Sequence, residues 1–207
     1  MLKDKYILGT VSIVTVTIIT GAFLNSIKVS ATDDNAIDNV SVNVPVSCTM
    51  SGTGMNSHNA NIVNGTYQAD IGTTTIKAFC NDTNGFAIYA AGYTGNTLGN
   101  NKLIGSSTSS EIITGIATSG STSNWAMKLA TNSSATYALT LDNSFNAYHA
   151  VPSEYTKVAH RDSATDIGTN AEGSTLTTTY AAFMSQTQPA GTYTGQVKYT
   201  LVHPSTH

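Results

Sequence analysis

The stretch QPAGTYTGQVKYTLVHP, Gln188 to Pro204, holds the strictest alternation in the chain. Tyr193, Val197, Tyr199 and Leu201 fall on one side of an extended backbone, with Gly195 between them. Thr192, Thr194, Gln196, Lys198 and Thr200 fall on the other. Successive side chains of a strand point to opposite faces, so a period of two predicts a strand with one buried face. Elsewhere Thr, Val, Ile and Tyr recur in short runs broken by Gly, Asn, Asp and Ser, and helical periodicity is almost absent. The expected fold is all-β, an antiparallel sandwich or barrel.

Further strands follow from the same rule. Val40 to Val46 alternates apolar and polar, and Pro45 within it cannot donate to a ladder, which predicts an edge strand. Thr73 to Cys80 puts Ile76, Ala78 and Cys80 on one face, and Gly85 to Tyr93 puts Phe86, Ile88 and Ala90 on one face. Asp82-Thr83-Asn84-Gly85 between them reads as a hairpin turn. Ser123 to Leu129 carries the single Trp, Trp125, in line with Met127 and Leu129, as a core anchor. Tyr137 to Leu141 reads as a short strand, and Ser174 to Met184 as a strand with Leu176, Thr178, Tyr180 and Ala182 in register. Asn96 to Ser123 reads as loops carrying short strands, and Asn146 to Val158 as an irregular loop.

The 207 residues suffice for one domain. Only 10% are charged and the net charge is −3, which argues against nucleic-acid binding, since that requires a clustered basic surface. Residues 1–31 read as an export signal: Lys3 and Lys5, an apolar stretch from Tyr6 to Leu24, then small residues at Val29-Ser30-Ala31. Cleavage is expected after Ala31. The rival expectation is an uncleaved membrane anchor, because the apolar run approaches the ~20 residues of a span. Either way the domain is expected to be secreted or displayed at the cell surface. Thr32 to Asn39, with Asp33, Asp34 and Asp38, reads as a flexible acidic leader, and residues 40–207 as a single β-sandwich domain.

Two cysteines, Cys48 and Cys80, most simply form one disulfide in an oxidising compartment. No zinc spacing accompanies them, so neither metal nor other cofactor is expected. No GxSxG, HExxH or phosphate-binding glycine loop is present, and no convergent acid–base pair marks a catalytic centre. His160-Arg161-Asp162 has the letters of a kinase catalytic loop without its companions. The expectation is a protein that is not an enzyme. Asn39, Asn64, Asn81 and Asn132 stand in glycosylation sequons that matter only in a glycosylating host. An intramolecular Lys–Asn isopeptide bond among the few lysines stays open.

In chain order the sequence offers an alternating strand into Cys48 (VSVNVPVSCTM), the short element Gly65-Thr66-Tyr67, a strand into Cys80, then GFAIYAAGY, and finally TTTYAAF leading into PAGTYTGQVKYTL. This order resembles the spore coat U / fimbrial-subunit group of secreted β-sandwich proteins. The resemblance spans most of Val40 to Val202, except Asn96 to Asn170. It implies an immunoglobulin-like sandwich that assembles at the cell surface, with a disulfide tying the first strand to a nearby one. It also implies strand addition, in which an extension of a neighbouring subunit completes the sheet.

Two functions of different kind follow as expectations. The first is a structural or adhesive surface protein, self-assembling as a fimbrial-type subunit. Its pairing edge would comprise Val40, Val42, Val44 and Val46 together with Tyr193, Val197, Tyr199 and Leu201. The second is a monomeric module binding a surface glycan or host protein through Tyr89, Tyr93, Tyr148 and Tyr155. The acidic leader is a poor filler for an apolar groove. The sequence therefore favours closure of the sheet by the chain's own Val40–Val46, with closure by another chain as the competing expectation.

Overall fold

The computed structural model describes residues 41–53, 58, 60–94, 97–107, 109–132, 136–165 and 173–204. The expected signal (1–31), the leader (32–39) and Val40 lie outside these residues. The described residues form β1 (Cys48–Thr53), β2 (Tyr67–Cys80), β3 (Phe86–Gly92), β4 (Leu103–Gly105), β5 (Glu111–Thr114) and β6 (Asn124–Thr131). They continue as β7 (Thr140–Leu141), β8 (His149–Ala150), β9 (Thr156–Arg161), β10 (Ser174–Phe183), β11 (Tyr193–Thr194) and β12 (Val197–Val202).

The fold is all-β, in two sheets. One runs β1-β2-β10-β6-β5-β4-β11, with β8 also on β6; the other runs β12-β3-β9-β7. All pairs are antiparallel except β5 with β6. The two sheets share one core. Ile76, Ala78 and Cys80 of β2, Trp125, Met127 and Leu129 of β6, and Leu176 and Ala182 of β10 come from the first sheet. Phe86, Ile88 and Ala90 of β3, Val158 and Ala159 of β9, and Tyr199 of β12 come from the second. Removing this apolar surface from water is the main driving force for folding.

Cys48 and Cys80 form a disulfide and sit directly opposite each other on β1 and β2, with Cα atoms 4.1 Å apart. The bond therefore fixes the register of β1, the terminal strand of its sheet.

Four expectations are corrected. Residues 41–47 form no strand; pairing starts at Cys48, after Pro45, so Val42, Val44 and Val46 close no sheet within the chain. Asp82–Gly85 is not a hairpin turn, because β2 and β3 belong to opposite sheets and do not pair. Its local chemistry is as expected: the Asp82 carboxylate accepts from Asn84 N at 2.9 Å, and Gly85 has φ +82°. A Cβ at Gly85 would lie 1.7 Å from the Arg161 carbonyl oxygen, so only glycine fits this passage between sheets.

The closing strand is not continuous either. Tyr193 belongs to β11 and pairs with β4, whereas Val197, Tyr199 and Leu201 belong to β12 and pair with β3. The break falls at Gly195, where a Cβ would meet the Leu103 side chain at 2.5 Å. The chain crosses from one sheet to the other at this residue. Finally, Asn146–Val158 contains β8 and opens β9 rather than forming only a loop.

Candidate functional site: an open sheet margin and two aromatic clusters

β12 lies at the end of its sheet. It pairs with β3 over Val197–Val202 and, among the described residues, with no strand on its other side. β1 likewise ends the other sheet, paired among the described residues only with β2, and β1 and β12 contact each other. Side chains that face the core at this margin are only partly covered: Cys48 and Met50 from β1, Val197 and Leu201 from β12. A strand edge of this kind exposes unpaired backbone N–H and C=O groups beside an apolar rim.

The fully buried member of the rim, Tyr199, is 8% exposed and carries its hydroxyl into the core. There it lies 2.7 Å from the Thr178 hydroxyl and 3.3 Å from the Tyr180 hydroxyl. Burial is the main cause that pushes the Tyr199 phenol well above its ordinary pKa, with the neighbouring Tyr180 adding to it; burial also raises Tyr180. Both phenols stay neutral hydrogen-bonding groups at ordinary pH. Tyr180 stacks on Trp125 at 6.2 Å, and His58 tilts against its other neighbourhood at 5.6 Å while meeting the Thr74 hydroxyl at 3.0 Å.

Both ends of the margin are anchored. Where the chain enters β1, the Asn81 carboxamide donates to the Pro45 carbonyl at 3.0 Å and accepts from Ser47 N at 2.6 Å. Where it leaves β12, His203 Nδ1 stands 3.4 Å from the carboxylate of Asp82, which is 2% exposed. The segment leading into Asn81's grip is apolar and exposed: Val42, Val44 and Val46 are 79%, 71% and 41% exposed.

The four candidate tyrosines do not form one platform. Tyr148 belongs to a cluster on the larger sheet. Its hydroxyl donates to Asp70 Oδ1 at 2.7 Å and accepts from Asp70 N at 3.0 Å, with the Lys128 ammonium over its ring at 4.8 Å and Tyr67 edge-on at 6.5 Å. Asp70 reaches this position with φ +55°, inside the bulge that shifts the register between β2 and β10. Burial and the Asp70 contact push the Tyr148 phenol up to about 12, and the Tyr148 hydrogen bond, with Lys128 behind it, lowers Asp70.

Tyr89, Tyr93 and Tyr155 are brought together on the outward face of the smaller sheet. Tyr89 stands opposite Thr200, and Lys198 lies over the Tyr93 ring at 5.1 Å. A hydrogen bond with Thr200, then the nearby Lys198, holds the Tyr155 phenol below its ordinary value. Tyr155, the residue just ahead of β9, therefore reaches β12 across β3.

The motifs set aside on sequence grounds have structural roles. His160 Nδ1 meets Asp142 Oδ2 at 2.8 Å, and Arg161 Nη1 donates to the Ala138 carbonyl at 3.1 Å. The ammonium groups of Lys102, Lys128 and Lys157 face the carboxylates of Glu111, Asp70 and Asp142 rather than a carboxamide. Two open cavities of about 480 and 410 Å³ adjoin the Ser119–Ser121 turn, and neither is lined by a His, Asp, Glu, Lys or Arg side chain. Among the described residues no group of three or more His, Cys, Asp or Glu could hold a metal ion. No family model, curated protein or solved structure matches the chain.

Proposed function

We propose that the chain is an exported, non-catalytic structural or adhesive subunit with an immunoglobulin-like β-sandwich, and that it assembles with copies of itself at the cell surface by strand addition. The observation that carries this reading is the pairing of two unsatisfied features. β12 offers an edge with half-covered Val197 and Leu201 beside it. The exposed segment Val42-Asn43-Val44-Pro45-Val46 offers alternating apolar side chains that cover nothing in its own sheet. Placed along β12 of a second copy, its backbone would satisfy the edge and its valines would enter the rim. Full burial of a Val side chain contributes roughly 1.5–3 kcal/mol. Pro45 restricts which side of the segment can donate, so it faces away from the ladder in such a pair.

Sedimentation of the chain from Thr32 onward tests the reading. Oligomers should form and should be lost on deleting residues 40–46 or on the double change Val42→Asp, Val44→Asp. Strict monomers at all concentrations, before any substitution, would overturn it.

A second reading has its own observation. Tyr89, Tyr93 and Tyr155 converge with Lys198 and Thr200 on one outward face, as a ligand platform would require. A monomeric protein that binds glycans on an array, and loses them with Tyr155→Ala, would establish it in place of the first.

A further inference from the structure

We infer that Lys198, with Tyr93 and Tyr155, receives the acidic segment Asp33–Asp38 of a second copy of this chain. The inference rests on strand addition at β12 and says where the residues just ahead of the added segment go. Lys198 is exposed on the outward face of β12, the strand whose edge is open. Lys102, Lys128 and Lys157 each face a carboxylate, but Lys198 takes part in no ion pair among the described residues. Its neighbours are the Tyr93 ring and the Tyr155 phenol. Its ammonium lies over one aromatic ring and beside a phenol hydroxyl, with no carboxylate partner among the described residues.

The matching charge lies in the chain itself. Thr32 to Asn39 holds Asp33, Asp34 and Asp38 and no basic residue, and it directly precedes the Val40–Val46 segment proposed to add to β12. Eight extended residues reach up to about 26 Å, and the six residues of β12 span roughly 20 Å. The leader therefore reaches Lys198 whichever way the added segment runs. Its composition makes it unsuited to an apolar groove and suited to this cationic, aromatic rim.

The chain from Thr32 onward is followed by sedimentation at about 20 mM and about 300 mM salt, where charge contacts at the surface are respectively strong and largely screened. Lys198→Glu should weaken self-association roughly two- to fivefold at low salt, the range of an exposed ion pair, and flatten its salt dependence. Asp33→Asn, Asp34→Asn and Asp38→Asn together should do the same and add nothing to Lys198→Glu. Lys77→Glu makes the same charge change on exposed β2 and should have no such effect. Replacing the three aspartates by lysine should restore association to Lys198→Glu.

Association that persists, with salt dependence untouched by Lys198→Glu, overturns the inference and leaves strand addition standing. Absence of any association removes strand addition. A fluorescent peptide of residues 32–39 then decides the contact: binding abolished by Lys198→Glu upholds it, and no binding overturns it. Oligogalacturonate bound at Lys198 while the peptide is not would assign the site to an acidic glycan and overturn it equally.

Discussion

β10 and β12 obey the same alternation, yet they differ in what surrounds them. β10 is paired along most of its length on both sides, with β2 and with β6, and its inward Leu176 and Thr178 are fully buried. β12 is paired on one side, and its inward Val197 and Leu201 are only partly covered on either side of buried Tyr199. Propensity and pattern are alike in the two strands, so the number of neighbours sets the difference. A central strand spends its alternation on its own core. An edge strand with the same alternation keeps part of it available.

Truncating one residue in each region gives the largest test. Leu176→Ala opens a cavity under two flanking strands and should cost about 2–5 kcal/mol in denaturant unfolding. Leu201→Ala removes a side chain that water already reaches, and should cost about half as much. Equal losses would mean that the β12 margin is packed as tightly as the centre. Removing the disulfide with Cys48→Ser and Cys80→Ser should cost about 3–4 kcal/mol, because it frees a loop of sequence separation 32 in the unfolded chain. Hydrogen exchange should then rise most in β1, which among the described residues pairs only with β2, and least in β10.

The same contrast explains what the sequence could reveal. β2, β3, β6 and β10 were legible because each buries alternate residues: Ile76, Ala78 and Cys80, for example, or Trp125, Met127 and Leu129. The disulfide was legible from cysteine number alone. β9 was hidden because its register shifts opposite Ile88 and Tyr89, which buries the adjacent Val158 and Ala159 together and breaks the period of two. β7 and β8 are two residues each, and their partners define them. At Asp82–Gly85 an Asx turn and a left-handed glycine serve a hairpin and a crossing between sheets equally well. Only the faces that enter the core decide between them. Val40–Val46 misled for the opposite reason, since alternation states that a segment can pair and not that it does, and residues 41–47 form no strand. Of the aromatic candidates, spacing could not separate Tyr148 from the other three, because Tyr155 reaches β12 only by crossing β3.

A smaller effect distinguishes the two regions by pH. Tyr180 of the central strand and Tyr199 of the edge strand share a hydroxyl contact, and both phenols are raised in the fold by burial. A raised folded pKa means that the native state holds its protons longer than the unfolded chain, whose tyrosines ionise near about 10. The stabilisation is thus complete below about pH 10 and declines as pH rises beyond it. Unfolding followed from about pH 8 to about pH 11 should show this alkaline loss. Tyr199→Phe should make the loss shallower while lowering stability at neutral pH by about 1 kcal/mol, since Thr178 gives up its partner. An unchanged alkaline slope would show that the edge tyrosine is solvated rather than enclosed.

The mildest change acts where the margin begins. Asn81 holds the chain at Pro45 and Ser47 with one donated and one accepted hydrogen bond, on the threshold of β1. The strand beyond that grip is fixed by Cys48–Cys80, and the valines before it are exposed. Asn81→Ala should therefore cost only about 1 kcal/mol in global unfolding, the scale of partly exposed hydrogen bonds. Asn81→Asp keeps the acceptor for Ser47 and loses the donor to Pro45, and should fall between wild type and Asn81→Ala. Releasing this grip also adds conformational freedom to Val42–Val46, freedom that pairing with a second chain would have to remove. Self-association should weaken in the same order as the unfolding free energy, wild type, Asn81→Asp, Asn81→Ala, while hydrogen exchange in β10 stays unchanged. Exchange in β10 that rose with the loss of Asn81 would show that the margin and the centre unfold as one unit, and the distinction between them would be one of exposure only.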